Sequence, residues 1–248
     1  MENPRVDGEL SLEEIQQGCL RILKEIDAVC RKENIRYWVM YGTLIGTVRH
    51  HGFIPWDDDL ALDGYRNELP FLITRISDTT YKMIGEYGDE VPNLGVFVDV
   101  YPFDGCGDTI DEARKHKRQC MTESRRYLDA GNFAFNNCEA GMAKRLLKRV
   151  RADFLGDPGK YLERLHELSL QRSFDDSGYV SCLVWDWEMS GIYPRSYFEN
   201  SELLDFEGFG VPVPCGYDQI LTADYGDYMQ LPPAEERVGH HYYSIIRR

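Results

Sequence analysis

The amino-acid sequence predicts an α+β fold, in which a small mixed sheet is flanked by helices and followed by a helical insertion and a loop-rich C-terminal part. Three observations lead to this prediction. Short apolar strands alternate with helical segments over about residues 11–105. A helical and partly basic region follows over about 110–170, and glycine and proline recur over about 178–248. The length of 248 residues suits a single domain, 1–248, that includes these additions.

The first element is an amphipathic helix from Ser11 to about Glu33. Ser11 and Glu14 have the spacing of a capping box, in which each side chain accepts a hydrogen bond from the other residue's backbone N–H. The apolar positions that follow recur at helical spacing: Leu12, Ile15, Cys19, Ile22, Leu23, Ile26, Val29 and Cys30. Such an apolar face is expected to pack on the sheet.

Strands and short helices then alternate along the chain. Four short segments rich in apolar residues are predicted to be strands: 36–41, 60–62, 81–87 and 94–101. The remaining periodic segments predict helices over about 43–50, 67–76 and 111–170. This order of elements is typical of a mixed sheet with helices on its faces.

The charge of the chain limits its possible partners. The chain has 42 acidic and 28 basic residues, which gives a net charge of -14. Binding to nucleic acid through the phosphate backbone is therefore not expected, whereas a small anionic ligand can bind where a metal ion or arginine offsets the field. The basic run Lys144–Arg151 is best interpreted as a solvated helix face. The alternative is a patch that faces the donor or the acceptor, or that contacts an anionic membrane surface.

The cysteines and the apolar runs bear on the cellular compartment. Seven cysteines are scattered without a C-x-x-C pair, which indicates reduced thiols and no structural zinc site. No apolar run approaches the roughly 20 residues that span a bilayer, and the first residues lack the pattern of a signal peptide. A cytoplasmic protein without a transmembrane segment is expected, with peripheral attachment to the inner face of the membrane as a variant of that location.

The acidic run Asp57-Asp58-Asp59 is the strongest chemical signal. Apolar residues flank it on both sides, and adjacent carboxylates in such surroundings are costly unless a cation or hydrogen-bond donors compensate. Because oxygen ligands favour a hard cation, the run predicts a Mg2+ or Mn2+ site rather than an acidic turn or helix cap. If the run is an extended strand, Asp57, Asp59 and Ala61 share one face, and Asp58 points to the other.

A second signal precedes the acidic run. A predicted strand ends at Gly42-Thr43, where a short helix begins, so backbone N–H groups are expected to approach an anion closely. Glycine followed by threonine is also common at ordinary turns, so this pair alone is a weak signal.

Aromatic and acidic residues also cluster later in the chain. The candidates for a cage around a trimethylammonium group are Trp185, Trp187, Tyr193, Tyr197, Asp186 and Glu188. A strand that packs its aromatic side chains on the core explains the same pattern equally well.

The segment from Gly42 to Asp59, GTLIGTVRHHGFIPWDDD, resembles the signature of the LicD family, which are phosphotransferases related to the fukutin proteins. The resemblance covers about residues 11–240 and is looser over 105–190. Its further matching segments are Val98–Pro102, Phe206–Gly208, Pro214, Tyr217-Asp218, Tyr225–Met229 and Pro232-Pro233. The family has a nucleotidyltransferase fold, so the resemblance implies a nucleotidyltransferase-like sheet.

The resemblance implies metal-dependent transfer of a phospho-alcohol, in the first place phosphocholine, from a CDP-linked donor to a hydroxyl of a cell-surface glycan. CDP-choline is then the expected donor, and a free or lipid-linked glycan, as in lipopolysaccharide or teichoic acid, is the expected acceptor. Nucleotidyl transfer onto a small molecule is the alternative, because the same fold supports both reactions.

The resemblance also implies roles for individual residues. The catalytic and metal-binding residues would be Asp57, Asp59 and Asp99, with Asp57 in a supporting position. The donor-binding residues would be Gly42, Thr43, Arg49 and His240. A guanidinium suits phosphate, although Arg49 also fits a surface salt bridge and His240 a surface histidine.

One position departs from the family pattern. Members usually carry an acidic residue where this chain has Ala61, and Asp63 would lie roughly 13 Å from Asp59 along an extended strand. We favour an engineered change that traps a complex as the origin of this alanine. Alternatively, Asp57 replaces the missing ligand, or this chain is an inactive, non-catalytic binding form.

Overall fold

The computed structural model describes residues 8–65, 74–85, 88–131, 142–184, 191–239 and 243–248. The chain divides into two compact units, the first built from 1–101 and 197–248 and the second from 102–196. Both units combine helices with strands, which confirms the predicted α+β fold. The organisation of the whole chain as a single domain stays a prediction.

Helix α1 (Leu12–Glu33) opens the first unit. The predicted capping box is present: Glu14 N–H donates to Ser11 Oγ at 3.2 Å, and Ser11 N–H donates to the Glu14 carboxylate at 2.9 Å. The helix ends where Asn34 takes a left-handed conformation with a φ of 55°. Most of the predicted apolar positions are buried, but Val29 is 54% exposed and lies outside the packed face.

The central sheet of the first unit begins with β1 (Tyr37–Val39), which pairs antiparallel with β2 (Ala61–Tyr65). The next strand in the sheet is β6 (Val96–Gly107). Helix α1 approaches this sheet closely at Gly18, where an added Cβ atom would lie 2.7 Å from a side-chain carbon of the first residue of β6. Glycine is therefore required at this contact.

The predicted helix over 67–76 is wrong at its C-terminal end. Residues 74–76 belong to β3 (Thr74–Asp78), which pairs antiparallel with β6 and sets Arg75 opposite Asp99. Residues 66–73 lie outside the described part of the chain. In so short a segment, helical spacing of apolar residues is weaker than the backbone pairing that β6 offers.

Two smaller sheets belong to the same unit. Strand β4 (Tyr81–Gly85) lies between β5 (Glu90–Val91) and β11 (Tyr243–Arg247), and both pairings are antiparallel. Strands β9 (Ser201–Phe206) and β10 (Phe209–Pro214) form an antiparallel hairpin. The prolines of β10 are compatible with such a two-stranded sheet, where one edge needs no hydrogen-bond donor.

Helix α6 (Tyr217–Tyr225) follows the hairpin. Two short 3-10 helices, Arg195–Phe198 and Ala234–Glu236, lie before the hairpin and after α6. The C-terminal part therefore connects a hairpin, a helix and the strand β11 through loops.

The described residues of the second unit, which spans 102–196, form three α-helices and three paired strand segments. The C-terminal half of β6 pairs antiparallel with β7 (Tyr179–Cys182), which pairs with β8 (Ile192–Pro194). The helices are α3 (Ile110–Gly131), α4 (Met142–Leu155) and α5 (Gly159–Ser169), and they confirm the helical insertion predicted over 110–170. Within the described ranges, no helix has the length and apolarity needed to cross a bilayer.

His116 of α3 is buried in the second unit. Burial lowers the pKa of its imidazole, and the Arg172 guanidinium lowers it further, because both disfavour the protonated form. The folded chain therefore keeps His116 neutral at pH values where the unfolded chain has already taken up a proton.

We expect this histidine to make the protein less stable in mild acid. Its contribution is complete above the ordinary histidine pKa of about 6.5 and is lost as the pH falls from there to the lower pKa of the folded state. Urea unfolding across this range should show a smaller pH dependence for His116→Gln than for the wild type. Equal slopes for the wild type and His116→Gln would contradict this expectation.

Candidate functional site

The segment from Gly42 to Asp59 connects β1 to β2 and contains most of the predicted site residues. Helix α2 (Tyr41–Ile45) begins directly after β1 and continues as one π-helical turn over Gly46–His50. The predicted short helix over 43–50 is thus confirmed. The chain then turns at residues 54–57, where Asp57 N–H donates to a backbone carbonyl at 2.9 Å.

The loop that leads to the acidic run is held by tight contacts. Gly46 has no room for a side chain, because a Cβ atom there would collide with the carbonyl oxygen of Gly52. Gly52 in turn lies against the carboxylate of Glu207, which accepts a hydrogen bond from Phe53 N–H at 3.2 Å. Glu207 N–H donates to the carbonyl of His51 at 2.9 Å. The turn between β9 and β10 therefore fixes this loop from both sides of Gly52.

Asp57 lies against the start of α2. A Cβ atom at Gly42 would be 2.9 Å from Asp57 Oδ2, so the Gly42 backbone and this carboxylate are in close contact. Asp57 Oδ1 accepts a hydrogen bond from Asp58 N–H at 3.1 Å, and its backbone carbonyl accepts one from the Gln16 side chain at 2.8 Å. The structure thus brings two of the predicted residues, Gly42 and Asp57, side by side.

Thr43 is buried and connects α2 to β2. Its Oγ1 accepts a hydrogen bond from Ala61 N–H at 2.8 Å, and its carbonyl accepts one from Thr47 Oγ1 at 2.7 Å. Ala61, the residue that departs from the family pattern, is therefore held in place by a second predicted site residue. Contact between Thr43 and a donor phosphate stays a prediction.

Asp99 lies next to the acidic run, because its N–H donates to the carbonyl of Leu60 at 3.0 Å. Its buried carboxylate is already bound by a guanidinium and by a hydroxyl group. Arg75 Nε is 2.6 Å from Oδ1 and Nη2 is 3.4 Å from Oδ2, while the Tyr101 hydroxyl donates to Oδ2 at 3.2 Å. The Arg75 guanidinium also lies over the Phe97 ring, 4.7 Å from its centroid. Sequence reasoning missed Arg75 because its segment was predicted to be helical.

The acidic run is not part of a strand. Residues 57–60 are irregular and β2 begins at Ala61. Strand geometry therefore does not set the directions of Asp57, Asp58 and Asp59, and their alternation stays a prediction. All three residues are half-buried.

Two tyrosines lie near different carboxylates of the acidic run. Burial raises the pKa of Tyr225 to about 12, and the carboxylates of Asp224 and Asp57 add to this shift. Burial also raises the pKa of Tyr243, to which the carboxylates of Asp58 and Asp59 contribute. Asp57 therefore lies within electrostatic reach of α6, and the other two carboxylates lie within reach of β11.

The predicted metal ligands Asp57, Asp59 and Asp99 all belong to the first unit. Among the residues that the structure describes, no group of three or more His, Cys, Asp or Glu side chains is arranged to hold a metal ion. The donor chemistry itself suits Mg2+ or Mn2+, because every predicted ligand is a carboxylate. Arg75 is bound to Asp99 and would have to leave it for a cation to bind there. The metal site stays a prediction.

Arg49 is held by neutral acceptors. Its Nη1 donates to the carbonyl of Tyr228 at 2.8 Å, and its Nε donates to His50 Nε2 at 2.9 Å. Burial lowers the pKa of His50, and the positive charge of Arg49 lowers it further, so the imidazole stays neutral and can accept this bond. These contacts orient the guanidinium without neutralising it, which differs from the surface salt bridge considered as its alternative role.

Arg49 lines a cavity of about 880 Å3 in the first unit. The aromatic and acidic side chains in its wall are Trp56, Tyr225, Tyr228, Asp227, Glu235 and Glu236. The cavity lies beside the acidic run, because Trp56 directly precedes Asp57 and the pKa of Tyr225 responds to Asp57. The guanidinium of Arg237 is 5.8 Å from the centroid of the Trp56 ring, so this ring already attracts a cation.

Several predicted residues are not brought to this cavity by the described structure. Trp185, Trp187 and His240 lie outside the described residues. Tyr193 is buried in the second unit, where its ring stacks on that of Phe103 with the centroids 6.2 Å apart. Its position agrees with core packing, the alternative to the aromatic cage.

Two further residues near the acidic run were not singled out from the sequence. Glu207 belonged to a matching segment, but its contact with Gly52 joins positions far apart in the chain. Tyr243 lies at the start of β11, and the aromatic and β-branched residues of Tyr243–Arg247 would have favoured a strand there. No local pattern would have placed it near the acidic run.

Known proteins resemble this chain in sequence. Residues 34–82 match the family model described as LicD/FKTN/FKRP, nucleotidyltransferase domain. The chain is 27% identical to the lipopolysaccharide cholinephosphotransferase LicD of Haemophilus influenzae, over 94% of this chain and 96% of that protein. It is 38% identical to the ribitol 5-phosphate transferase FKRP of human and mouse over 55 residues, 21% of this chain and 11% of that protein. The predicted relationship is thus confirmed: the chain is an enzyme related to the LicD-family phosphotransferases.

Proposed function

We propose that this enzyme transfers a phosphorylated alcohol, in the first place phosphocholine, from a CDP-linked donor to a hydroxyl of a glycan. The observation that carries the proposal is the cavity of about 880 Å3 beside Asp57, which combines an oriented guanidinium with aromatic and acidic walls. Similarity along nearly the whole chain to a lipopolysaccharide cholinephosphotransferase supports the same reaction. We further propose that the reaction takes place in the cytoplasm, where thiols such as the six free cysteines of the described residues stay reduced.

The walls of the cavity suit the two ends of phosphocholine. Arg49 would bind the phosphate, because its guanidinium is oriented by Tyr228 and His50 but keeps its charge. The trimethylammonium group would lie against Trp56 and Tyr225, since aromatic faces attract quaternary cations. The acidic side chains of the same wall would add attraction at longer range.

The metal would be held by Asp57, Asp59 and Asp99, after Arg75 has released Asp99. When bound, a divalent cation neutralises the charge that develops on the pyrophosphate of the donor. The chain's own part is to position the donor and to take up a proton. A carboxylate of the acidic run would accept the proton of the acceptor hydroxyl, whose oxygen then bonds to the phosphorus that carries the alcohol, while CMP leaves.

Nucleotidyl transfer onto a small molecule is the second candidate, and it is favoured by the nucleotidyltransferase domain that residues 34–82 match. The products distinguish the two reactions. Release of CMP from a CDP-alcohol indicates phospho-alcohol transfer, whereas release of pyrophosphate from a nucleoside triphosphate indicates nucleotidyl transfer.

The donor assignment can be tested by thermal shift with CDP-choline, CDP-glycerol and CDP-ribitol, each with and without Mg2+. A ligand that binds only the folded state raises the melting temperature. We expect the largest rise with CDP-choline and Mg2+. If none of the three donors raises the melting temperature, the donor assignment is wrong.

A pair of charge variants tests where the alcohol lies. Replacing Glu235 and Glu236 by Gln should reduce the shift caused by CDP-choline more than that caused by CDP-glycerol, because only choline carries a positive charge. The matched control replaces two exposed acidic residues of β9, as Glu202→Gln with Asp205→Asn. An equal reduction of the thermal shift for both donors would show that the choline group does not bind at this wall.

Gly42→Ala should lower turnover several-fold without lowering the melting temperature. The added methyl group would reach to 2.9 Å from Asp57 Oδ2 and force this carboxylate to move. Alanine stabilises a helical position by about 1 kcal/mol relative to glycine, so the fold is not expected to suffer. The control is Gly210→Ala in β10, where an added Cβ atom has no neighbour within 4 Å. Unchanged turnover in Gly42→Ala would show that the position of Asp57 is not critical.

A further inference from the structure

Helix α4 of the second unit exposes a row of large apolar side chains. Leu146, Leu147 and Val150 are each more than half exposed, and Phe154 is 89% exposed. We call these four residues the apolar stripe. In contrast, Ala152 of the same helix is buried. The helix therefore packs with one side and presents large apolar side chains on the other.

The spacing of these residues makes the stripe continuous. With 3.6 residues per turn, Leu146, Val150 and Phe154 follow one another at intervals of four, and Leu147 lies beside them. The same geometry places Ala152 on the opposite side of the helix. A surface helix normally turns such a face toward the core, so its exposure indicates a partner.

Basic residues accompany the stripe in an otherwise acidic chain. The whole chain has a net charge of -14, but its α4 segment contains five basic residues and one acidic residue. Arg149 and Arg151 are exposed and border the stripe on its two sides. Charge and apolarity are thus concentrated on one surface.

A small cavity between α3 and α4 adds further arginines. It has a volume of about 280 Å3 and is lined by Arg118, Met121, Thr122, Arg125, Arg126 and Arg151. Arg126 pairs with Glu123 and Arg151 pairs with Asp129, each at 2.7 Å. Within the described ranges, no ion pair of this kind holds Arg118 or Arg125. Guanidinium groups in one cavity repel each other, and an anion between them would relieve this repulsion.

We propose that this side of the second unit docks on an anionic lipid membrane. The apolar stripe would insert among the acyl chains, and the arginine cavity would hold a lipid phosphate. An apolar face bordered by basic residues is typical of helices that lie in the plane of the membrane interface. The solvated helix face predicted for Lys144–Arg151 does not account for apolar side chains in water beside these charges.

A second copy of the chain is a less suitable partner. A two-fold contact through this surface would bring the same basic residues of both copies together. Their repulsion would oppose the apolar contact, whereas an anionic membrane satisfies both properties of the surface.

Vesicle co-sedimentation of the full chain, without substrates, tests this inference. We expect binding to vesicles of phosphatidylcholine with phosphatidylglycerol, and little binding to phosphatidylcholine alone. Leu147→Gln with Phe154→Gln should weaken binding by at least about a hundredfold, because two large apolar groups no longer insert. Arg118→Gln with Arg125→Gln should weaken it by about tenfold or more, and this loss should shrink in high salt.

The controls use exposed apolar residues outside this surface. Val29→Gln with Leu203→Gln removes two exposed apolar side chains of α1 and β9 and should bind as the wild type does. Circular dichroism melting would show that every variant is folded. Equal binding of the stripe variant and the control, or no binding of the wild type to anionic vesicles, would overturn the proposal. A dimer that the stripe variant converts to a monomer would assign the surface to self-association instead.

Discussion

Asp59→Asn should lower the turnover of CDP-choline by at least about a hundredfold while leaving the melting temperature unchanged or slightly higher. The loss in rate is expected because a carboxylate that binds a divalent cation at the reacting phosphate contributes several kcal/mol to transition-state stabilisation. The gain in stability is expected because Asp59 is half-buried beside two other carboxylates, and removal of one charge reduces their mutual repulsion.

This combination of results distinguishes a site residue from a structural one. The control is Asp205→Asn, the same change at an exposed position of the hairpin, which should alter neither rate nor melting temperature. Steady-state release of CMP measures turnover, and calorimetry measures the melting temperature. A lower melting temperature in Asp59→Asn, together with a proportionate loss of rate, would indicate that Asp59 supports the fold rather than the reaction.

Ala61→Asp should raise turnover by about tenfold or more. The backbone of residue 61 is fixed at both polar groups, since its N–H donates to Thr43 Oγ1 at 2.8 Å and its carbonyl accepts from Met40 N–H at 3.1 Å. A carboxylate introduced there would supply the acidic residue that the resemblance to the LicD family implies at this position. It would provide a further ligand for a divalent cation without moving the strand.

The rate of this variant also decides why the chain carries an alanine here. A strong gain in rate supports a change that traps the enzyme before turnover. No gain in an otherwise active enzyme would favour Asp57 as the replacement ligand. Binding of CDP-choline without turnover in both forms would indicate a non-catalytic binding protein.

Local patterns predicted the elements whose signals lie within a few residues. The capping box of Ser11 and Glu14 and the periodic face of α1 were found from the sequence. Residues that cap a helix, or that share its buried face, are only three or four positions apart. The acidic run was found because three carboxylates among apolar neighbours require compensation wherever they lie.

Features that depend on distant residues were not accessible in this way. Strand β3 exists because β6 provides a partner, and the ion pair of Arg75 with Asp99 follows from that register. Strand geometry does not set the directions of the Asp57–Asp59 side chains, because the strand begins only at Ala61. Such features are decided by tertiary pairing, which a single sequence does not encode at short range.

The hydrogen bond between Glu207 and Phe53 joins residues separated by 154 positions. Contacts at such separation form late, because the entropy of closing a long loop must be overcome before they stabilise anything. When the ribosome has synthesised the acidic run, the hairpin that holds the preceding loop in place has therefore not yet been made. The nascent chain can acquire an ordered site only after the hairpin has emerged, so the acidic run must wait for a segment about 150 residues later in the chain before it is supported.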